Sequence, residues 1–537
     1  MHRRQLMTTA ALATAGGALL PVAGLRDALA QSRAQTLLVL QEAGPNSLDL
    51  HAPGANRPSQ PLVMATFDRL LGFGTRPMPE GHLHYDYDAL TPELAESWQM
   101  APDGNSITFT LREGATFHSG NPVTAEDVKW SLDRAVTLPG FPKSQMNAGS
   151  LLEPRQFEVL DARRVRVHWI RPDKLLVPDL ATAIPCIYDS KLLREKATAA
   201  DPWAVEFARA NSAGGGAFRV ASWRPGQETV LERFAAWKSG PQTNVQRIII
   251  REVPSAATRR ALIERGDADV LLDLPPKDFA ELIQARRATV FPTPMAHAWR
   301  FLGMNTTIKP FDDKRVRQAV AWAVPYDEIF KAALFERGRP LWGGPAEPAE
   351  TVWPTPSPYR TDVERAKRLL AEAGLPNGFE TTFHLDISQA TLHEPIGVLL
   401  QEGLAKAGIR VTLEKVPAGQ LRGQLAQKRL PFFVEDFGAW FSAPDYFFFL
   451  AYHGSNGVWN SANYIDAEMT AMIDQARTER DSATYDALVK RMFAKAFEDV
   501  PFIPLVQPFQ DVAVRNNVTG HRYLFHRQLE YRFFAKG

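Results

Sequence analysis

The 537-residue sequence predicts an α/β protein with mixed sheets in more than one lobe. Three observations carry that expectation. Short runs alternate apolar and polar residues with the period of a half-buried strand. Between them lie runs with helical spacing that end at Gly or Pro. No repeat of about 20 to 50 residues exists, which excludes a solenoid. Hydrophobic residues make up 45% and charged residues 23%, as in an ordinary globular chain, and the length is material for about three or four domains.

In chain order, "QTLLVLQEAG" reads as a strand and "PLVMATFDRLLGF" as a helix. Residues 76 to 90, "RPMPEGHLHYDYDAL", carry Pro and Gly punctuation and read as a polar loop. "SITFTLREGATF" alternates as a strand, and "VTAEDVKWSLDRAV" reads as a helix capped by Thr124 with Asp127 completing a capping box. "RVRVHWI" is a strand, and Gly214-Gly215-Gly216 reads as a tight turn or hinge. "AFRVASWRPGQETVLERF" is strand, turn and strand, "NVQRIIIREV" a strand, and "SAATRRALIERGDADVLL" a helix and a strand. Two helix–turn–strand units follow in "RAKRLLAEAGLPNGFETTFHLDI" and "EPIGVLLQEGLAKAGIRVTLEKV", then helices in "MTAMIDQA" and "ATYDALVKRMFAKAFEDV".

The first 30 residues read as an export signal. They have a basic start, an apolar stretch from Ala10 to Leu25, and an A-x-A site at Ala28-Leu29-Ala30. Arg3-Arg4 resembles a twin-arginine signal, with the general secretory route and an ordinary N-terminal helix as the alternatives. Cys186 is the single cysteine and lies in an apolar stretch, so no internal disulfide forms and a buried, inert thiol is expected. No later segment has the length of a membrane span. The expected product is a soluble, periplasmic monomer. A net charge of +1 without a basic patch speaks against nucleic acid as a partner.

Chemistry-bearing motifs are mostly missing. No H-E-x-x-H, G-x-S-x-G, Walker A, G-x-G-x-x-G or S-x-x-K pattern occurs. His82, His84 and Asp86 in "GHLHYDYD" are the one metal-like spacing, against the plainer reading of a solvated loop. No catalytic residue, metal site or cofactor is expected. The run "GAWFSAPDYFFFLAYHG", residues 438 to 454, has seven aromatic residues among seventeen and one acid, Asp445. It reads either as a core element or as the wall of a ligand cleft.

Five ordered stretches resemble the extracytoplasmic solute-binding proteins of dipeptide, oligopeptide and nickel ABC importers, family 5. They are "LTPELAESWQMAPDGNSITFTLREGATFHSGNPVTAEDVKWSLDRAV", "GGGAFRVASWRPGQETVLERFAAW", "LGMNTTIKPFDDKRVRQAVAWAVPYDEI", "AKRLLAEAGLPNGFE" and "VPFIPL". The resemblance implies a periplasmic binding protein type II-like fold, two lobes around a cleft plus an extra domain in the N-terminal half. It places domain I at 35–80, 205–295 and 505–537, domain II at 81–204 and domain III at 296–504, with hinge crossings near 296 and 504. It implies capture of a peptide-like or other small organic solute and delivery to a membrane permease. An exported hydrolase or peptidase, and a nickel or metal-chelate receptor, are the alternatives.

The resemblance also nominates site residues. Trp440, Phe441 and Ser442 stand where relatives carry an aromatic segment with an acid that holds the ligand's ammonium group. Ser442 occupies the acid's place. Asp445 falls at a later position that is structural in the family, and it is nominated with them as a ligand-binding candidate. Asn56 and Arg57 follow the "SLDLHAPGANRP" segment and are the candidates on the other wall.

Overall fold

The computed structural model describes residues 33–295, 297–348, 353–457, 459–524 and 528–537. The expected export signal and the crossing at Ala296 lie outside the described residues.

One strand, Phe502–Val514, organises the molecule. Its first half pairs with strand Ala298–Met304, which continues through Phe432–Gly438 and Glu380–Asp386 to Arg410–Val416. Its second half pairs with Thr289–Pro294 and with Val270–Leu271, which leads through Thr36–Gln41 and Arg247–Glu252 to the hairpin Phe218–Arg224 and Glu228–Arg233. The sheet is mixed: Thr36–Gln41 runs parallel to Arg247–Glu252, whereas the long strand is antiparallel to its neighbours. Two smaller four-stranded sheets, one from Ala95–Met100, Ser106–Leu111, Arg164–His168 and Phe157–Val159, and a two-stranded pair of Val518–Thr519 with Ala535–Lys536 add to it.

Local signals explain the helices. Thr124 caps helix Ala125–Thr137, with its backbone N–H donating to Asp127 at 2.9 Å, as the capping-box spacing predicts. Asp362, Asp466 and Asp481 cap three later helices through side-chain oxygens.

Two expectations need correction. Residues 76 to 90 are not a loop: strands Leu71–Pro77 and Leu83–Pro92 form an antiparallel pair, and Arg522–Leu524 adds to it in parallel. Pairing on both sides of Leu83–Pro92 and burial of His84 and Tyr85 override the turn-rich composition. The helix in "PLVMATFDRLLGF" stops at Thr66, because the following residues pair as a strand. At Gly214 to Gly216 the glycines serve close approach. A Cβ on Gly214 would meet the Thr66 carbonyl oxygen at 2.0 Å, and one on Gly216 the Phe67 nitrogen at 2.6 Å.

The cores follow the sheets. One unites residues 50–213 with Trp440 and Tyr523, two lie around the Ala298–Met304 half, and two around the Thr36–Gln41 half. Cys186 is buried, and desolvation pushes its thiol up to about 12.

Candidate functional site

The aromatic run is chiefly core. After strand Phe432–Gly438 the chain turns through residues 439–443 into helix Pro444–Tyr452, where Pro444 occupies the first turn and needs no N–H partner. Phe447 packs edge-on against Trp299 at 4.9 Å and Trp353 at 4.5 Å. Phe441 is fully buried and packs on Tyr446. Trp440 is buried against Phe141, with ring centroids 5.3 Å apart. Phe449 is exposed on the outer face of the helix, and Ser442 is half-buried and lines a cavity.

That cavity holds about 250 Å³ and sits beside the strand pair Thr289–Pro294 and Phe502–Val514. Arg76, His84, Tyr85, Asp86, Tyr87 and Asp88 form one wall; Arg339, Trp353 and Ser442 form the other, with Pro294, His297 and Gln507 between them. A hydrogen-bond chain crosses it. Trp353 Nε1 donates to His297 Nδ1 at 3.2 Å, so His297 Nε2 carries the proton and meets the Tyr85 hydroxyl. Burial pushes His297 down to about 3, which keeps the ring neutral. Two arginines and two aspartates on one cavity suit a solute with both carboxylate and ammonium groups.

A second cavity of about 100 Å³ carries Arg57 on one side and Asp386, Gln389, His393, Arg422 and Glu435 to Gly438 on the other. Arg300 grips Asp436 through two hydrogen bonds of 2.7 and 2.8 Å. Arg422 stands 3.0 Å from Glu435, yet burial lifts that carboxyl to about 7, because Arg422 is 64% exposed and offers a screened charge.

The nominated residues therefore separate. Arg57 and Ser442 line different cavities. Asn56 is engaged in its own turn, accepting from the Asn46 N–H and donating to the Gly44 carbonyl. Trp440 and Phe441 are packed into cores. Asp445 is buried, and its Oδ1 is taken by protein groups, Lys174 at 2.8 Å and the Tyr485 hydroxyl at 2.6 Å, while Oδ2 has no hydrogen-bond partner among the described residues and lies 3.8 Å from Arg477. Sequence reasoning missed Arg76, Asp86, Asp88, Arg339 and His393 as cavity groups. Asp86 had been singled out, but for a metal. His82 Nε2 is bonded to Thr293 and His84 Nδ1 to the Tyr85 carbonyl. Among the described residues, no group of three or more His, Cys, Asp or Glu side chains is placed to hold a metal ion.

Comparison with known proteins bears on the same segments. The family described as "Bacterial extracellular solute-binding proteins, family 5 Middle" is matched over residues 89–459, which includes the aromatic run and begins just after the hairpin residues that line the first cavity. The chain belongs to that family. This family 5 protein is 26% identical over 446 residues to the probable D,D-dipeptide-binding periplasmic protein DdpA of Escherichia coli K12, covering 82% of this chain and 83% of that one. Among solved structures it resembles the periplasmic binding protein DppA from Helicobacter pylori in complex with the peptide STSA, with a TM-score of 0.76 at 21% identity, over 94% of this chain and 99% of that one. It also resembles the binding protein AgaA from A.tumefacien R10 in complex with agropinic acid, with a TM-score of 0.74 at 25% identity, again over 94% and 99%. The type II fold expected from the sequence is the observed one. Among the described residues no helix of this family 5 protein is long and apolar enough to cross a membrane.

Proposed function

We propose that this protein is the periplasmic receptor of an ABC importer, capturing a small peptide-like or opine-like solute and passing it to a membrane permease without breaking a bond. The observation that carries this reading is the mixed-charge cavity of about 250 Å³ beside the paired strands, lined by Arg76, Arg339, Asp86 and Asp88. Family membership over residues 89–459 supports the transport role, and the probable D,D-dipeptide-binding relative together with the solved complexes with the peptide STSA and with agropinic acid supports the solute class.

The same reading takes domain I as 35–80, 205–295 and 505–537, domain II as 81–204 and domain III as 296–504. The pairing of one long strand with both halves of the sheet supports a hinge there. Arg57 and Ser442 are the solute-facing residues retained from the sequence. The same reading takes the precursor to be exported through its Arg3-Arg4 signal, cleaved after Ala30, and to act as a soluble monomer.

Native mass spectrometry of the protein purified from its own host tests the reading. A co-purifying small solute of defined mass is expected, unchanged after prolonged incubation. Conversion of that solute to product would establish the hydrolase alternative instead.

A further inference from the structure

His393 is buried in the wall of the second cavity, 3% exposed, and neither ring nitrogen has a hydrogen-bond partner among the described residues. An unsatisfied buried polar group costs about 1–3 kcal/mol, so such a group in a cavity wall is a sign of a missing partner. The surrounding acids are already engaged. Asp436 is held by Arg300, Glu435 faces Arg422, and Asp386 accepts from the Ser388 N–H and hydroxyl. Arg57, Arg300 and Arg422 thus stand against Asp386, Glu435 and Asp436, and the local charges come close to cancelling.

Burial keeps the imidazole neutral, pushing it down to about 4. A neutral imidazole presents one donor and one acceptor. A carboxylate would satisfy only the donor and would face Asp386 and Asp436. An ammonium group would satisfy only the acceptor and would face Arg57. Hydroxyl and carboxamide groups both donate and accept, without a charge to desolvate.

We propose that His393 is a specificity-determining residue that receives a neutral, hydrogen-bonding part of the solute, hydroxyl- or amide-bearing, rather than its carboxylate or its amine. This rests on the reading that the chain captures a solute at these cavities.

Two measurements test it. The free protein is compared with His393→Leu and His393→Gln by thermal unfolding. Leu removes both unsatisfied nitrogens at similar volume, so the melting temperature should rise by about 1–3 °C, whereas a fall would show that the imidazole is satisfied and structural, and would overturn the proposal. Calorimetry then uses Ala-Gln-Ala as the amide and Ala-Glu-Ala as the acid, which share both charged termini, with agropinic acid as a third probe. The wild type should bind the amide about tenfold more tightly than the acid, Leu should erase that preference, and Gln should restore part of it. A preference unchanged in the Leu variant, or one for the acid, would overturn the proposal. If no probe binds the wild type, the peptide- and opine-like solute class is what fails, and the thermal comparison still decides the role of His393.

Discussion

Lys174 and Asp445 form an ion pair of 2.8 Å between the segment after strand Arg164–His168 and the first turn of helix Pro444–Tyr452. The ammonium group also lies 3.8 Å from the Tyr485 ring centroid, and Tyr485 donates to the same carboxylate. A second tie runs beside it. Arg477 pairs with Asp173 at 3.1 Å and donates to the Ala148 carbonyl. With Trp440 on Phe141, these contacts join residues 141–174 to residues 440–485.

If those ties hold residues 141–174 against residues 440–485, Asp445→Asn should loosen that contact. The expected cost is about 1–3 kcal/mol, below that of breaking a fully buried pair because Lys174 is 34% exposed. Small-angle scattering of the solute-free variant should show a larger radius of gyration than the wild type. Equal radii would make the pair a local staple that does not hold the two segments together.

Asp179 gives a pH prediction. Burial pushes its carboxyl up to about 8, only partly opposed by hydrogen bonds from Gln145 and the Gly149 N–H, and Oδ2 has no partner among the described residues. Its folded pKa lies above the unfolded value near 3.8, so the fold retains a proton that the unfolded chain releases. Stability from this group is full below about pH 4 and is lost as pH rises towards 8. Asp179→Asn should therefore stabilise by about 1–3 kcal/mol at pH 7, with the gain vanishing near pH 4. Denaturant midpoints at the two pH values check the slope, and a pH-independent difference would refute the assignment.

The glycines at 214 and 216 should resist substitution. Gly214→Ala sets a methyl against the Thr66 carbonyl, which is backbone and has no rotamer to yield. A loss of about 2–3 kcal/mol or more in unfolding free energy is expected. Gly226→Ala, with no atom within 4 Å but a φ of +75°, is the control: it should cost only backbone strain, roughly 1 kcal/mol.

The cavity at Ser442 already contains Asp86 and Asp88, so a solute amine has carboxylates available although Ser442 stands in the expected acid's place. Asp86→Asn together with Asp88→Asn should weaken binding of Ala-Ala relative to N-acetyl-Ala-Ala by about tenfold to a hundredfold, and Ser442→Asp should strengthen it. Titration calorimetry with the matched pair reads this directly. Unchanged discrimination in both variants would place the amine elsewhere.

Replacing Arg3 and Arg4 with Lys should hold the precursor in the cytoplasm, as a twin-arginine route requires. Normal periplasmic yield of the variant, measured by fractionation, would assign export to the general pathway.

The sequence by itself determined the class of fold, its family, and nearly every strand and helix whose side chains follow a simple period. Strand Arg247–Glu252 and the Thr124–Asp127 cap are legible because their causes lie within a few residues of each other. The hairpin Leu71–Pro92 was not, since its pairing partner in Arg522–Leu524 lies more than 400 residues away. Site chemistry divided the same way. Asp445 and Asp86 are the same residue type, one in an aromatic run and one in a polar stretch, and only packing decides that the first pairs with Lys174 and Tyr485 while the second lines a cavity. His393 carried no sequence signal at all, because what singles it out is a pair of absent partners. A chain's periodicity records which face each residue turns inward; whether a buried polar group is satisfied depends on atoms brought from distant segments, and that is settled only when the sheets have packed.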